Sequence, residues 1–251
     1  MKTKFPFNLQ KCAGGECPVD FALANTLAFR KAYKPWLMTA TAVSENKSGW
    51  IYVRGHSPTP YHPDASKAGF SLVWYRPARH PRASKIRDWE AYLRTLAHTI
   101  DTCVKDALIR SGGKVGKCSI VLDAVGFGVS MIPSLAATKK LLRMLQDHNP
   151  DRMGVFVIVN LGGASQTFVN IIWPFLPEEV KKKVHIVPRD TTVRLRMLRG
   201  LVEEEYIPAS LGGPDEYEFD AEQYYTNSQY RAPIGTDEEG AEYMATMPQY
   251  G

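Results

Sequence analysis

The chain has no apolar run long enough to cross a bilayer, and its opening "MKTKFPFNLQ" lacks the apolar stretch of a secretory signal. The expectation is a cytoplasmic protein that meets membranes only from outside, as a peripheral protein. Cysteine is scarce: Cys12, Cys17, Cys103 and Cys118 make no CxxC pair and no disulfide framework, which points to free thiols in a reducing compartment. The histidines, at 56, 62, 80, 98, 148 and 185, form no HExxH and no paired ligand set, so no metal is expected. A GxSxG elbow is missing, leaving Ser130 and Ser134 without the turn that exposes a nucleophile. Gly126-Phe127-Gly128 follows a strand pattern, yet Met131 stands where a dinucleotide fingerprint needs its third glycine. Cys103 and Arg110 are one residue too far apart for a phosphatase loop, and both fall in a helical pattern. With no catalytic constellation left, no enzyme is expected. Charge of one sign is also in short supply, at a net +5, and aromatics do not alternate with the cations as a nucleic-acid stacking platform requires.

What is present is a globular composition: 44% hydrophobic and 23% charged over 251 residues, enough chain to bury a sizeable core. Residues 1 to about 65 are weakly patterned, with a helix around "VDFALANTLAFRKAY" and a loop-like "RGHSPTPYHPDASKAG". From there the pattern becomes regular. "FSLVWY" (70–75) reads as a strand. Trp89, Leu93, Leu96, Ile100, Val104 and Leu108 recur at helical spacing, and "SGGKVGK" closes that helix. "CSIVLD" (118–123) is a strand. "SLAATKKLLRMLQDH" (134–148) is an amphipathic helix with Leu135, Thr138, Leu142 and Leu145 inside. "GVFVIVN" and "VHIV" are further strands, "PEEVKKK" is a short charged helix, and "TTVRLRMLRGLVEEEY" a last long one. Alternating strands and helices argue for a parallel or mixed sheet with crossover helices. The acidic, tyrosine-rich tail 214–251 has little periodicity and is expected to wrap the surface or fray.

One segment stands apart. Phe168 to Leu176 is apolar on more than one side, so something apolar must flank it twice. Pro174 removes the bond to the Asn170 carbonyl, which should kink or end this helix, and Gly162 and Gly163 offer a permissive hinge at its start. Lys181, Lys182 and Lys183 follow directly; a cationic membrane-docking patch and a plain solvated face are equally compatible with them.

From about Gly69 to Gly213 the sequence resembles the CRAL-TRIO lipid-binding family, typified by tocopherol, retinaldehyde and phosphatidylinositol transfer proteins. "SIVLDAVGFG", "LQDHNPDRMGVFVIVN", "WPFLPEEVKKKVHIV" and "IPASLGG" stand in the family's order and spacing. The resemblance implies an α/β fold: a mixed, largely parallel sheet flooring a hydrophobic pocket, with flanking helices and a mobile gate helix that opens on a membrane. It implies three regions, 1–65, a lipid-binding domain 66–213, and the tail 214–251. It places Phe168, Ile171, Ile172 and Phe175 on the gate, and Val121, Phe156 and Ile158 on the sheet floor as further ligand-binding residues. Ser165 and Thr167 fall where hydroxyls contact phospholipid headgroups in some members, and Ser165 could equally cap the helix. Glu205 matches an acid that helps hold inositol phospholipid. The family's arginine-lysine segment is reduced to "FRKAYK" (29–34), and no lysine occurs from residue 184 onward, so the lipid class stays open. The expected partners are a phospholipid or other hydrophobic small molecule and a transient membrane surface, with no other cofactor and no nucleic acid; the oligomeric state is not legible. The rival expectations are a protein-interaction module with a collapsed pocket, or an α/β enzyme acting on a hydrophobic substrate.

Overall fold

The computed structural model describes residues 18–33, 35, 40–57, 69–80, 89–147, 149 and 152–227. Two helices, α1 (Pro18–Tyr33) and α2 (Ala40–Glu45), lead into β1 (Ile51–Ser57) and β2 (Phe70–Tyr75). Then come α3 (Trp89–Arg110), β3 (Cys118–Asp123), α4 (Leu135–Asp147), β4 (Met153–Val159), α5 (Ala164–Ile172), α6 (Glu178–Lys181), β5 (Val184–Ile186), α7 (Thr191–Arg199) and α8 (Ala221–Asn227). The sheet order is β1-β2-β3-β4-β5, antiparallel at β1–β2 and parallel beyond. This is the mixed, largely parallel sheet with flanking helices that the sequence led us to expect.

Parallel strands that are neighbours in both chain and sheet are joined by right-handed crossovers, which place α3, α4 and α5 on one face, here called the front. Side chains settle which strand positions point there. Ser71 donates to Asp106 of α3, and Cys118 hydrogen-bonds Cys103 of α3, where burial holds the Cys103 thiol well above its ordinary pKa. Strand alternation then puts Val73, Tyr75, Ile120 and Leu122 on the front. Through the registers Ile120↔Phe156, Leu122↔Ile158 and Ile158↔Ile186, it adds Phe156, Ile158, Val184 and Ile186. Leu72, Trp74, Val121, Val157 and Val159 face the back.

The front core under α3 is aromatic. Trp50 stacks on Tyr92 at 4.6 Å, and the Tyr75 and Tyr92 hydroxyls meet. The back is sealed by the chain after β5: Leu198, Val202, Ile207, Leu211, Tyr224 and Tyr225 are all buried. One feature here differs from the expectation, and a second takes one of the two courses expected of the tail. The "loop-like" Arg54–Ser57 belongs to β1, whose bulge between Val53 and His56 carries Gly55 at φ 82 with Tyr206 packed over it. Hence the sheet begins ahead of residue 66, while residues 58–68 of that stretch lie outside the described residues. The tail also folds back. Arg54 clasps Asp215 with two bonds of 2.7 and 3.0 Å beneath the Tyr217 ring, and Tyr52 packs against Tyr217 and Phe219. The outer edge of β1 is closed by side chains: Asn46 bonds both backbone groups of Ile51 and the Tyr225 hydroxyl, and Tyr224 accepts from the Val53 N–H at 2.9 Å. The last long helix is shorter than its pattern, because α7 stops at Arg199 before Gly200.

Candidate functional site

The turn that leads from β4 to α5 is built by residues that tolerate unusual backbone. Asn160 sits at φ 58, and Gly163, at the N-cap, has φ 51 and ψ −120. Asn160 is held from below: its Nδ2 donates to Asp123 at 2.8 Å, and Asp123 also accepts from the Val125 N–H at 3.1 Å. The buried Arg76 guanidinium lies 3.9 Å from the same carboxylate. Ser165 closes the turn. Its hydroxyl accepts from the Gly162 N–H at 3.0 Å and donates to the Gly162 carbonyl at 2.8 Å, and the residue is only 4% exposed. Thr167 donates to the Gly163 carbonyl at 3.3 Å. Both hydroxyls are thus engaged by the turn itself, and Ser165 is not the N-cap residue.

Along α5 the apolar side chains divide. Val169 is buried one turn after Ser165, and Phe168 and Ile172 are half-buried. Ile171 and Phe175, expected on the ligand side, face outward at 43% and 49% exposure. Pro174 acts as expected: the α-helix ends at Ile172 and a tighter turn, Trp173–Phe175, replaces it. On the same face as α5, the sheet carries Leu122, Phe156 and Val184, and α4 carries Leu141, Leu142 and Leu145, all half-buried. The loop after β3 reaches α5 through Phe127, whose ring stacks on Phe168 at 5.9 Å between centroids. Sequence reasoning missed Phe127, Leu122 and the α4 leucines; the α4 stripe was in view, but not that it faces this side.

The structure brings Phe156, Ile158, Phe168 and Ile172 to one side of the sheet. It does not bring in Val121, which lies in register with Val157 and points from the back face, wholly buried. Glu205 is elsewhere too. It belongs to the turn Glu204–Tyr206 at the β1 edge, next to the Glu203 N–H that bonds the His56 carbonyl at 3.1 Å, across the sheet from α5. There burial and a hydrogen bond to Glu205 push the Tyr206 hydroxyl upward in pKa. The lysine run is largely spent on local bonds. Lys181 pairs with Glu178 at 2.7 Å, Lys182 with Glu179 at 3.0 Å, and Lys183 donates to the Met153 carbonyl at 3.0 Å. Lys181 accordingly holds the Glu178 carboxyl below its ordinary pKa. An i,i+3 acid beside each of the first two lysines cancels most of the patch's field. Among the described residues no helix is long and apolar enough to cross a membrane.

The two sheet faces make opposite demands on substitution. Val121→Ala is expected to cost about 1–2 kcal/mol of stability, seen as a lower unfolding midpoint, with uptake of a hydrophobic ligand unchanged. If a ligand lies against the front, as the family resemblance implies, Phe156→Ala, half-buried there, lowers its uptake by more than the stability loss explains. Equal effects of both on uptake would rule out the front-face assignment.

This fold, with its β-strands flanked by crossover helices and an apolar helix after β4, is that of a known class. Residues 61–213 match the CRAL/TRIO domain, and the chain belongs to that family. The family is known for lipid binding and transfer, including phosphatidylinositol, and its members are generally not enzymes. Among curated proteins the chain is similar to the Sec14 cytosolic factor of Schizosaccharomyces pombe, 29% identical over 105 residues. That match takes in 41% of this chain and spans 36% of the relative's length. Among solved structures the fold is similar to that of Sfh5, with a TM-score of 0.60 at 14% identity, covering 94% of this chain and 80% of the other.

Proposed function

We propose that this protein holds a phospholipid or another hydrophobic molecule between the front of its sheet and α5, and carries it between membranes without chemical change. The observation that supports this most is the row of half-buried apolar side chains, Leu122, Phe156, Val184 and the leucines of α4, on the same face as a helix that, with the turn after it, exposes further apolar side chains. A closed core buries such residues fully, because each large apolar side chain gains roughly 1.5–3 kcal/mol on leaving water. A lipid chain lying against them supplies the missing contacts. The outward Ile171 and Phe175 gain the same term when a membrane covers them, so closed and membrane-bound states lie close in energy, as a gate requires. In this proposal the protein acts in the cytoplasm and visits membranes peripherally. Native mass spectrometry with lipid extraction tests it. One lipid per chain, exchanged unaltered with vesicles of phosphatidylcholine or phosphatidylinositol, is the expected result. A chain that takes up no lipid from either vesicle sinks the proposal in favour of a protein-interaction module, and turnover of the lipid makes it an enzyme.

A further inference from the structure

We infer that the loop between β3 and α4, residues 124–134, is the element that enters an anionic lipid surface, and that Phe127 couples this entry to the movement of α5. The inference rests on the lipid-carrying function for its purpose, though not for its geometry. The loop "AVGFGVSMIPS" contains no charged residue. Val125 and Val129 stand out from it at 60% and 74% exposure. Single exposed apolar residues are ordinary, whereas a contiguous apolar surface marks a contact site. Here the loop and α5 touch through an aromatic pair. Phe127, between the two valines, turns inward and stacks on Phe168 with an interplanar angle of 25°. Phe168 begins the α5 stripe that continues, three and seven residues on, to the exposed Ile171 and Phe175. Four of the eight large apolar side chains exposed among the described residues therefore lie on this loop, on α5 and on the turn that ends α5.

The surroundings favour a bilayer over a protein partner. Exposed cations border the apolar tip: Arg79 follows Ala78, whose Cβ sits 3.2 Å from where a side chain at Gly126 would begin, and the Arg189 guanidinium lies against Gly162. Lys139 is exposed near the start of α4, after the loop. An uncharged aliphatic tip with arginine nearby suits shallow insertion among anionic headgroups. Protein hot spots instead centre on desolvated aromatic and arginine anchors. The one aromatic ring of this loop is turned toward α5 and is not offered to a partner. Gly126, at φ 74, and Gly128 leave the backbone free to rotate around Phe127. Insertion of Val125 and Val129 would draw Phe127 off Phe168, freeing α5 only where a membrane is present. Phe127 is thus a latch, and the valines are its trigger.

Two variants of the whole chain test this, with vesicles of phosphatidylcholine containing phosphatidylserine. The double variant Val125→Asp/Val129→Asp should keep its circular dichroism and melting temperature, since both side chains are exposed, and should lose vesicle binding by roughly tenfold or more. Unchanged vesicle binding overturns the docking assignment. So does a wild type whose self-association in sedimentation disappears in the variant, because that identifies a second copy as the occupant. Phe127→Ala should bind vesicles at least as tightly as the wild type does, since insertion no longer has to break the stack on Phe168. Its release of a preloaded fluorescent phospholipid to albumin, with no membrane present, should rise roughly fivefold or more, since an aromatic pair that held the helix is gone. Release at the wild-type rate overturns the latch. If the wild type takes up no phospholipid at all, the carrier function fails, while the vesicle measurement still decides the docking surface on its own.

Discussion

Gly213→Ala is expected to lower the unfolding midpoint by about 6–12 °C, the shift that roughly 3 kcal/mol produces in a protein of this size. A methyl group there would lie on the Ile207 carbonyl oxygen, 2.5 Å from the Ile207 Cβ and 2.6 Å from its carbonyl carbon. Neither neighbour can yield. Ile207 is fully buried, and its carbonyl accepts from the Asp215 N–H at 3.0 Å, while the Gly213 N–H itself bonds the Pro208 carbonyl at 3.1 Å. Overpacking against flexible side chains costs about 1–3 kcal/mol; a clash with fixed backbone lies at the top of that range or beyond it. Damage spreads to Asp215, whose clasp on Arg54 ties this segment to β1. Gly200→Ala is the control. Its added Cβ would meet only the Met197 carbonyl, at 3.4 Å, from a helical φ of −84, and the midpoint should stay within about 2 °C. Thermal unfolding of the two variants side by side checks the argument, and a similar small shift in both would refute it.

Ile171→Asp is expected to leave the protein folded and to slow lipid transfer between vesicles by roughly thirtyfold. Because Ile171 is already 43% exposed, an aspartate there keeps much of its water, and stability should change by about 1 kcal/mol or less. Transfer makes a different demand. If α5 opens onto a bilayer, the carboxylate must be carried toward lipid, at a cost of about 2 kcal/mol, somewhat below the figure for the bilayer centre. That cost converts to the stated rate. Circular dichroism and transfer of a fluorescent phospholipid are the two measurements. A folded variant with normal transfer removes α5 from the gate; an unfolded one makes it ordinary core.

The parallel part of the sheet was readable because its strands are short, largely apolar runs closed by glycine or charge. "FSLVWY" and "CSIVLD" are β2 and β3 to the residue. α5 was readable from its excess of large apolar side chains, and its end from Pro174. β1 was not, because Arg54, Gly55 and His56 interrupt its alternation at a bulge, where strand periodicity fails. The tyrosines of α8 gave no signal either. They are buried by contacts with β1 far away in sequence, and such partners leave no local period. At the site, the helix was legible and the sheet face was not. A strand doubly covered by protein shows no polar side, so the parity that sends Val121 backward and Phe156 forward could not be read from either strand alone. The pairing of Lys181 and Lys182 was open to sequence reasoning, since Glu178 and Glu179 stand three residues before them.

The hydroxyl of Tyr224 and the amide of Asn46 do more than fill space. An outer strand with free N–H and C=O groups is a template on which another chain can add a strand, by exchange between copies or by aggregation. In β1 both groups of Ile51 and the N–H of Val53 are already occupied, from before the strand and from far beyond it. Tyr224, past Gly213, thus covers part of the edge on which a second copy's strand could add.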